Sequence, residues 1–439
     1  MRGSTIKSVI ARQVFSGRGQ PAIEATVITE NGKRGTAQCV AGLSIGTHEV
    51  EFAYDGGTAW RGKGLSRAVN NINTIIAPAI IGMDAAWQFE VDHRILTLFG
   101  KETKHKLGGN AIAAVSAAVL KAGSEALDIP LYQHIGGTRA VTLPNAAYGV
   151  ISGGIRYCDG KKSGSKPTYS MIGYGFDSFH EASYALYEVF TEWEEFMNRR
   201  WGLRSQEPSP FYSCCGFFSI PYGVIENDYI LLDSLTDMIC RHGYEGKIGL
   251  QIDCAADCYY NPETGIYQGL FNSSPRTRDQ QIQEILNLAK NYPFVVIEDP
   301  MMEDDFEGHA IITKETGIQI VGDDLFTTNE ERVKKGVKLG ACNTVLLKVN
   351  QIGSITESWE MIQLAYENGY GIMPCSSRGE NNDICDYCVG LNTGTVRETS
   401  LGSSGTRFLQ IEDELGSRAR YAGISGLKGW KFRAMEATK

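Results

Sequence analysis

Apolar and polar residues alternate over Ile6 to Phe15 and again over Ala22 to Glu30, with a Gly/Arg/Gly/Gln turn between. That period, carried by β-branched residues, predicts two strands. Asn31-Gly32 follows as a hairpin signal. A glycine-bearing loop runs from Ala41 to Thr47, and the period then changes. Ala111 to Leu127 is Ala-rich with apolar residues at helical spacing, which predicts a helix. Residues 1–140 are expected to form a small α+β domain, and Thr142-Leu143-Pro144 opens something new.

Beyond it the pattern becomes a repeated unit. Short continuous apolar runs cover Lys247 to Ile252, Phe294 to Ile297, Ile318 to Gly322, Thr344 to Leu347 and Tyr370 to Met373. Helical stretches such as Asp279 to Asn291 and Ile355 to Asn368 lie between them. Runs of this kind predict parallel strands buried on both faces, an α/β arrangement. Each run ends in polar or reactive groups: Asp253, Glu298-Asp299, Asp323-Asp324, Lys348, and Cys375-Ser376-Ser377. An open doubly wound sheet draws its ligand groups from one or two switch-point loops. A (β/α) barrel presents them from many strand ends at one rim, and the barrel fits better. The expected barrel spans residues 141–427, with 428–439 as a tail.

Composition narrows the class. The chain has 439 residues, long enough for two domains. Its net charge of −9, without a basic stripe, argues against a nucleic-acid partner. No apolar run reaches membrane-spanning length. The 11 cysteines are an odd number in a long chain and are expected to be reduced thiols, which makes the cytoplasm the default location. Cys385 and Cys388 form a CxxC without a partner pair at zinc spacing.

Asp253, Glu298 and Asp323 stand at successive strand ends, and in a barrel they converge. Three anions so placed repel unless a cation lies among them, and an all-oxygen set suits Mg²⁺. Each taken alone is equally a helix cap or an ion-pair partner. Lys348 ends the next strand. Beside a metal and low-dielectric walls its pKa falls, which suits a general base; a plain salt bridge to Asp323 or Asp324 is the simpler reading.

These residues sit in strings that resemble the enolase family. Ile297-Glu298-Asp299-Pro300, Ile320-Val321-Gly322-Asp323-Asp324-Leu325 and Leu346-Leu347-Lys348-Val349-Asn350-Gln351-Ile352-Gly353 carry the likeness. So do Gly42-Leu43-Ser44-Ile45-Gly46, Leu107-Gly108-Gly109-Asn110-Ala111-Ile112 and Ile411-Glu412-Asp413-Glu414-Leu415-Gly416. The resemblance implies an enolase-type (β/α)8 barrel behind an α+β capping domain, and a homodimer. It implies Mg²⁺ on Asp253, Glu298 and Asp323, and Lys348 as the base that removes the proton alpha to a carboxylate. Ser44 would lie in a mobile loop that helps hold a second Mg²⁺, and Asp324 matches the second aspartate of its pair. The family reaction is the dehydration of 2-phosphoglycerate to phosphoenolpyruvate.

Departures from the family pattern are concentrated at the acids. Tyr169 stands where Gln-Glu-Phe-Met-Ile has its Glu, and Cys215 where Gly-Asp-Glu-Gly-Gly has its Glu. Arg156 replaces the His of Asn-Gly-Gly-x-His. Ser-His-Arg-Ser-Gly-Glu becomes Cys375-Ser376-Ser377-Arg378-Gly379-Glu380, and the late Lys becomes Arg397. Guanidinium groups suit bidentate capture of carboxylate and phosphate, so Arg156, Arg378 and Arg397, with Ser376 and Ser377, are expected at the substrate. The pattern is similar to what carboxyphosphonoenolpyruvate synthases of phosphonate antibiotic pathways require. In that reading a CMP-activated phosphonoformyl unit is joined to a phosphorylated three-carbon acid. Two rivals stay open: ordinary enolase chemistry with Tyr169 or Cys215 as proton donor, and a non-catalytic binding role.

Overall fold

The computed structural model describes residues 3–17, 19–42, 45–153, 157, 167–203, 218–399 and 401–437. The first unit is an antiparallel meander of β1 (Ile6–Phe15), β2 (Pro21–Thr29) and β3 (Arg34–Cys39). The predicted hairpin joins β2 to β3, where Gly32 takes φ +80 and its N–H donates to Thr29 O at 2.9 Å. The helix α1 (Gly109–Leu127) packs on this sheet with its small residues. A Cβ at Gly35 would stand 2.2 Å from the backbone of Ala118 and Ala122, so only glycine on the strand and alanine on the helix permit this approach.

The second unit is the barrel. Its strands are β4 (Asn145–Ser152), β5 (Thr168–Gly173), the short β6 (Phe218–Ser219), β7 (Ile248–Asp253), β8 (Phe294–Glu298), β9 (Gln319–Gly322), β10 (Thr344–Leu347), β11 (Gly371–Pro374) and β12 (Thr395–Val396). The order is β11-β10-β9-β8-β7-β5-β4-β12, with β6 paired on β4. A parallel bridge between Cys375 and Arg397 closes the ring. Its helices include α2 (Phe179–Trp201), α3 (Tyr229–Arg241), α4 (Arg278–Asn291), α5 (Phe306–Thr316), α6 (Glu330–Leu339), α7 (Ile355–Glu367), α8 (Asp383–Gly390) and α9 (Gly402–Leu415). Caps set several starts: Thr277 and Gln280 form a reciprocal capping box on α4, and Asn329 accepts from Glu331 N and Arg332 N on α6.

One strand departs from the expected parallel sheet. β5 runs antiparallel to both β4 and β7. A parallel neighbour requires a crossover, usually through a helix, and the Gly-, Ser- and Lys-rich stretch 153–167 has no helical periodicity. The stretch expected as a tail is also structured. α10 (Trp430–Glu436) lies under the barrel, with Phe432 buried in the barrel core and Trp430 Nε1 donating to Lys314 O at 3.1 Å.

The two units are joined over the barrel's reactive end. Asn350 Nδ2 donates to Val40 O at 2.8 Å, Val50 N to Gln351 O at 2.9 Å, and Lys121 pairs with Asp383 at 2.8 Å. No helix among the described residues is long and apolar enough to cross a membrane.

Candidate active site

Parallel register brings the acids together. Glu298 at the end of β8 pairs across the sheet with Asp253 at the end of β7. Asp323 follows β9, and Lys348 follows β10. Asp253, Glu298, Asp323 and Lys348 are all buried. Lys348 Nζ donates to Asp323 Oδ2 at 2.5 Å, and Gln351 Nε2 to Asp323 Oδ1 at 2.9 Å. Burial pushes the Glu298 carboxyl well above the ordinary range; Arg397 works against that, and Asp253, Asp323 and Asp299 add to it.

Arg397, at the end of β12, lies between two of these acids. Its Nη2 donates to Asp253 Oδ2 at 2.6 Å and its Nη1 to Glu298 Oε1 at 3.0 Å. Burial opposes its charge, but Glu298, Asp253 and Glu398 outweigh burial and hold it protonated.

Glu298, Asp299 and Asp323 can each offer one carboxylate oxygen within 4.8 Å of the others. Asp299, however, accepts Asp323 N at 2.9 Å and Asp324 N at 2.8 Å, which makes it the brace of the turn after β9. Glu298 Oε2 is buried and has no hydrogen-bond partner among the described residues. An orphaned buried carboxylate oxygen in a set of hard oxygen donors fits a small divalent cation such as Mg²⁺. Of the three expected ligands, Glu298 and Asp323 stand within this group, and Asp253 adjoins Glu298 with its Oδ2 accepting from Arg397.

The other expected residues are distributed unevenly. Asp324 is buried beneath the loop that carries Gly46: a Cβ there would stand 3.3 Å from Asp324 Oδ1. Ser376 and Ser377 are half-buried in the turn after β11. Arg378 is turned to the same loop, where its fork meets Glu49 with two contacts of 2.6 Å. Burial works against its charge, and Glu49 more than offsets this, so Arg378 stays protonated. Ser44, Arg156 and Cys215 lie outside the described residues.

Tyr169 is not brought to the carboxylates. Residues paired across strands share a face, and Tyr169 pairs with Ile252, whereas Thr168 pairs with Asp253. The Tyr169 phenol donates to Asp228 Oδ2 at 2.8 Å, and Tyr157 donates to Asp228 Oδ1 at 2.7 Å. The inner position belongs to Thr168, whose Oγ1 accepts from Arg397 Nη2 at 3.2 Å and donates to Glu398 Oε1 at 2.8 Å. Thr168, Gln351, Glu49 and Glu398 were not singled out from the sequence. The place of Gln351 in the Leu-Leu-Lys-Val-Asn-Gln string, and that of Glu398 directly after Arg397, were the available signals.

The comparison with known proteins agrees with this geometry. The description "Enolase, N-terminal domain" matches residues 6–135, and "Enolase, C-terminal TIM barrel domain" matches 140–429. The chain is 38% identical to an enolase of Pyrococcus furiosus over 95% of its length and 97% of that protein's. It is 37% identical to enolases of Thermococcus kodakarensis and Bifidobacterium adolescentis, covering 98% of this chain in each case and 98% and 99% of theirs. The chain belongs to the enolase family. It is an enzyme of the enolase superfamily with an enolase-type (β/α)8 barrel preceded by a smaller α+β domain.

Proposed function

We propose that the chain is a Mg²⁺-dependent lyase that dehydrates a phosphorylated three-carbon carboxylic acid, 2-phosphoglycerate, to phosphoenolpyruvate. The observation that carries this is the Lys348–Asp323 contact of 2.5 Å beside the buried Asp253 and Glu298. Full-length likeness to enolases supports it. Lys348, neutral, takes the proton from the carbon next to the carboxylate. The electron pair forms the new C=C bond, and hydroxide leaves the neighbouring carbon and takes a proton from solvent to become water. The ammonium that Lys348 becomes is stabilised by Asp323 Oδ2. Arg397 supplies guanidinium N–H groups for the substrate carboxylate. Asp253, Glu298 and Asp323 would hold Mg²⁺, which would supply electrostatic stabilisation of the charge developing on the substrate carboxylate.

A second reading is favoured by one observation. Tyr169, at the place of the family's Glu, hydrogen bonds to Asp228 on the outer face, so it brings no acid to a leaving hydroxide. Without that assistance the same metal and lysine suit transfer of a phosphonoformyl unit from a CMP-activated donor, as in carboxyphosphonoenolpyruvate synthases. The enolase-named relatives favour the first reading. In either case the enzyme is read as a cytoplasmic homodimer.

Phosphorus NMR separates the two. The protein is incubated with Mg²⁺ and 2-phosphoglycerate, with and without phosphonoformyl-CMP. Phosphoenolpyruvate formed without the donor is the expected result. A new phosphorus species that forms only with the donor would replace the first reading by the second. Chelation should abolish turnover, and added Mg²⁺ should restore it.

A further inference from the structure

Glu398 follows Arg397 with φ +55, in the left-handed region that glycine takes freely. A side chain there is strained, and such strain persists where surrounding contacts fix it. Here those contacts are identifiable. Glu398 Oε1 accepts Thr168 Oγ1 at 2.8 Å and Ser170 Oγ at 3.4 Å, both from the inner face of β5. The same oxygen lies 3.6 Å from Arg397 Nε. That separation is a charge contact rather than a hydrogen bond, and Arg397 Nε has no hydrogen-bond partner among the described residues. The other edge of the guanidinium is on Asp253 and Glu298.

One cation is therefore shared between two sides. Asp253 and Glu298 draw it toward the acids that would hold Mg²⁺, and Glu398 draws it back. A guanidinium fully committed to Asp253 and Glu298 competes directly with a divalent ion for the same oxygens. We propose that Glu398 is a positioning residue that holds the Nε edge of Arg397 and so keeps the Asp253–Glu298 pair open to a divalent cation. The proposal rests on the reading of these acids as metal ligands, and it adds a determinant of metal affinity.

The test is Mn²⁺ binding followed by electron paramagnetic resonance on the full chain. E398Q keeps the size of the side chain and its acceptor oxygen for Thr168 and Ser170 but removes the charge. E398G takes φ +55 without strain and removes the side chain altogether. Both should bind Mn²⁺ about tenfold or more weakly, the scale set by groups around metal ligands. In an R397Q background the E398Q change should lose its effect, because the competitor is gone. Unchanged affinity in both single variants overturns the proposal. A loss confined to E398G overturns it too, since it assigns the effect to volume rather than charge. An undiminished effect in R397Q would show that Glu398 does not act through Arg397 and also overturns it. If the affinities fall as stated while neither 2-phosphoglycerate nor phosphoenolpyruvate is turned over, the proposed reaction fails and the positioning role stands.

Discussion

Lys348 and Tyr169 were both expected at the reacting atoms, and their surroundings separate them. Lys348 has a carboxylate at 2.5 Å and sits in the acid cluster. K348A should lower kcat by about 10²–10⁴-fold, the usual worth of a positioned base. Mn²⁺ should still bind, because the three carboxylates are untouched. Tyr169 has Asp228 as its partner on the outer face. Y169F should leave kcat within a small factor of the parent while lowering stability by about 1–3 kcal/mol, the cost of leaving a buried acceptor short of a donor. Steady-state kinetics and urea denaturation on the same samples check both. A collapse of kcat in Y169F with stability intact would return Tyr169 to the chemistry. The sequence could not decide this, because a shift of one residue on a strand reverses the face, and similarity of strings does not set register.

At the level of elements, the apolar runs were legible because they are the buried strands themselves. Thr344 to Leu347 was read as it stands, and Phe294 to Ile297 extends only to include Glu298. The direction of β5 was not legible, since a buried strand has the same composition either way. Nor was the role of α10, whose seven residues are too few for a clear period and which lies beyond the resemblance. Its anchor is Phe432, only 2% exposed, and Trp430 covers Gly317 so closely that a Cβ there would stand 2.2 Å from the indole. F432A should therefore cost about 3–5 kcal/mol, the range for emptying a phenylalanine site in a core. Deletion of residues 428–439 should cost at least as much. An unchanged melting temperature in both would mean that α10 does not seal the barrel.

Across the whole molecule, the N-terminal unit meets the reactive end of the barrel through α1 and through the loop that carries Gly46 and Glu49, and the Glu49–Arg378 pair fixes that loop. Both side chains are almost wholly buried, at 2% and 1% exposure. The sequence assigned Arg378 to the substrate because an arginine near a strand end suits phosphate; its partner Glu49 comes from the other unit, 329 residues away, and no local pattern joins them. Burial alone would raise the Glu49 carboxyl, but the Arg378 guanidinium overrides it and holds Glu49 below its ordinary value. A depressed carboxyl contributes stability above its unfolded value, about 4.3, and loses it as pH falls through the lower folded value. The denaturation midpoint should thus drop steeply below about pH 4. E49Q removes this group's contribution to the slope and, by taking away the carboxylate that the buried guanidinium fork meets, costs about 3–5 kcal/mol at neutral pH. The double change E49Q/R378M should recover much of that loss, because an apolar replacement leaves no buried charge. Chemical denaturation across pH 3 to about 7 tests this directly. A parent and an E49Q variant with parallel pH profiles would mean that Glu49 is not held ionised by Arg378. Recovery of stability in the double variant without recovery of turnover would place the pair's main value in setting the loop over the acids, since stability alone could then be had without it.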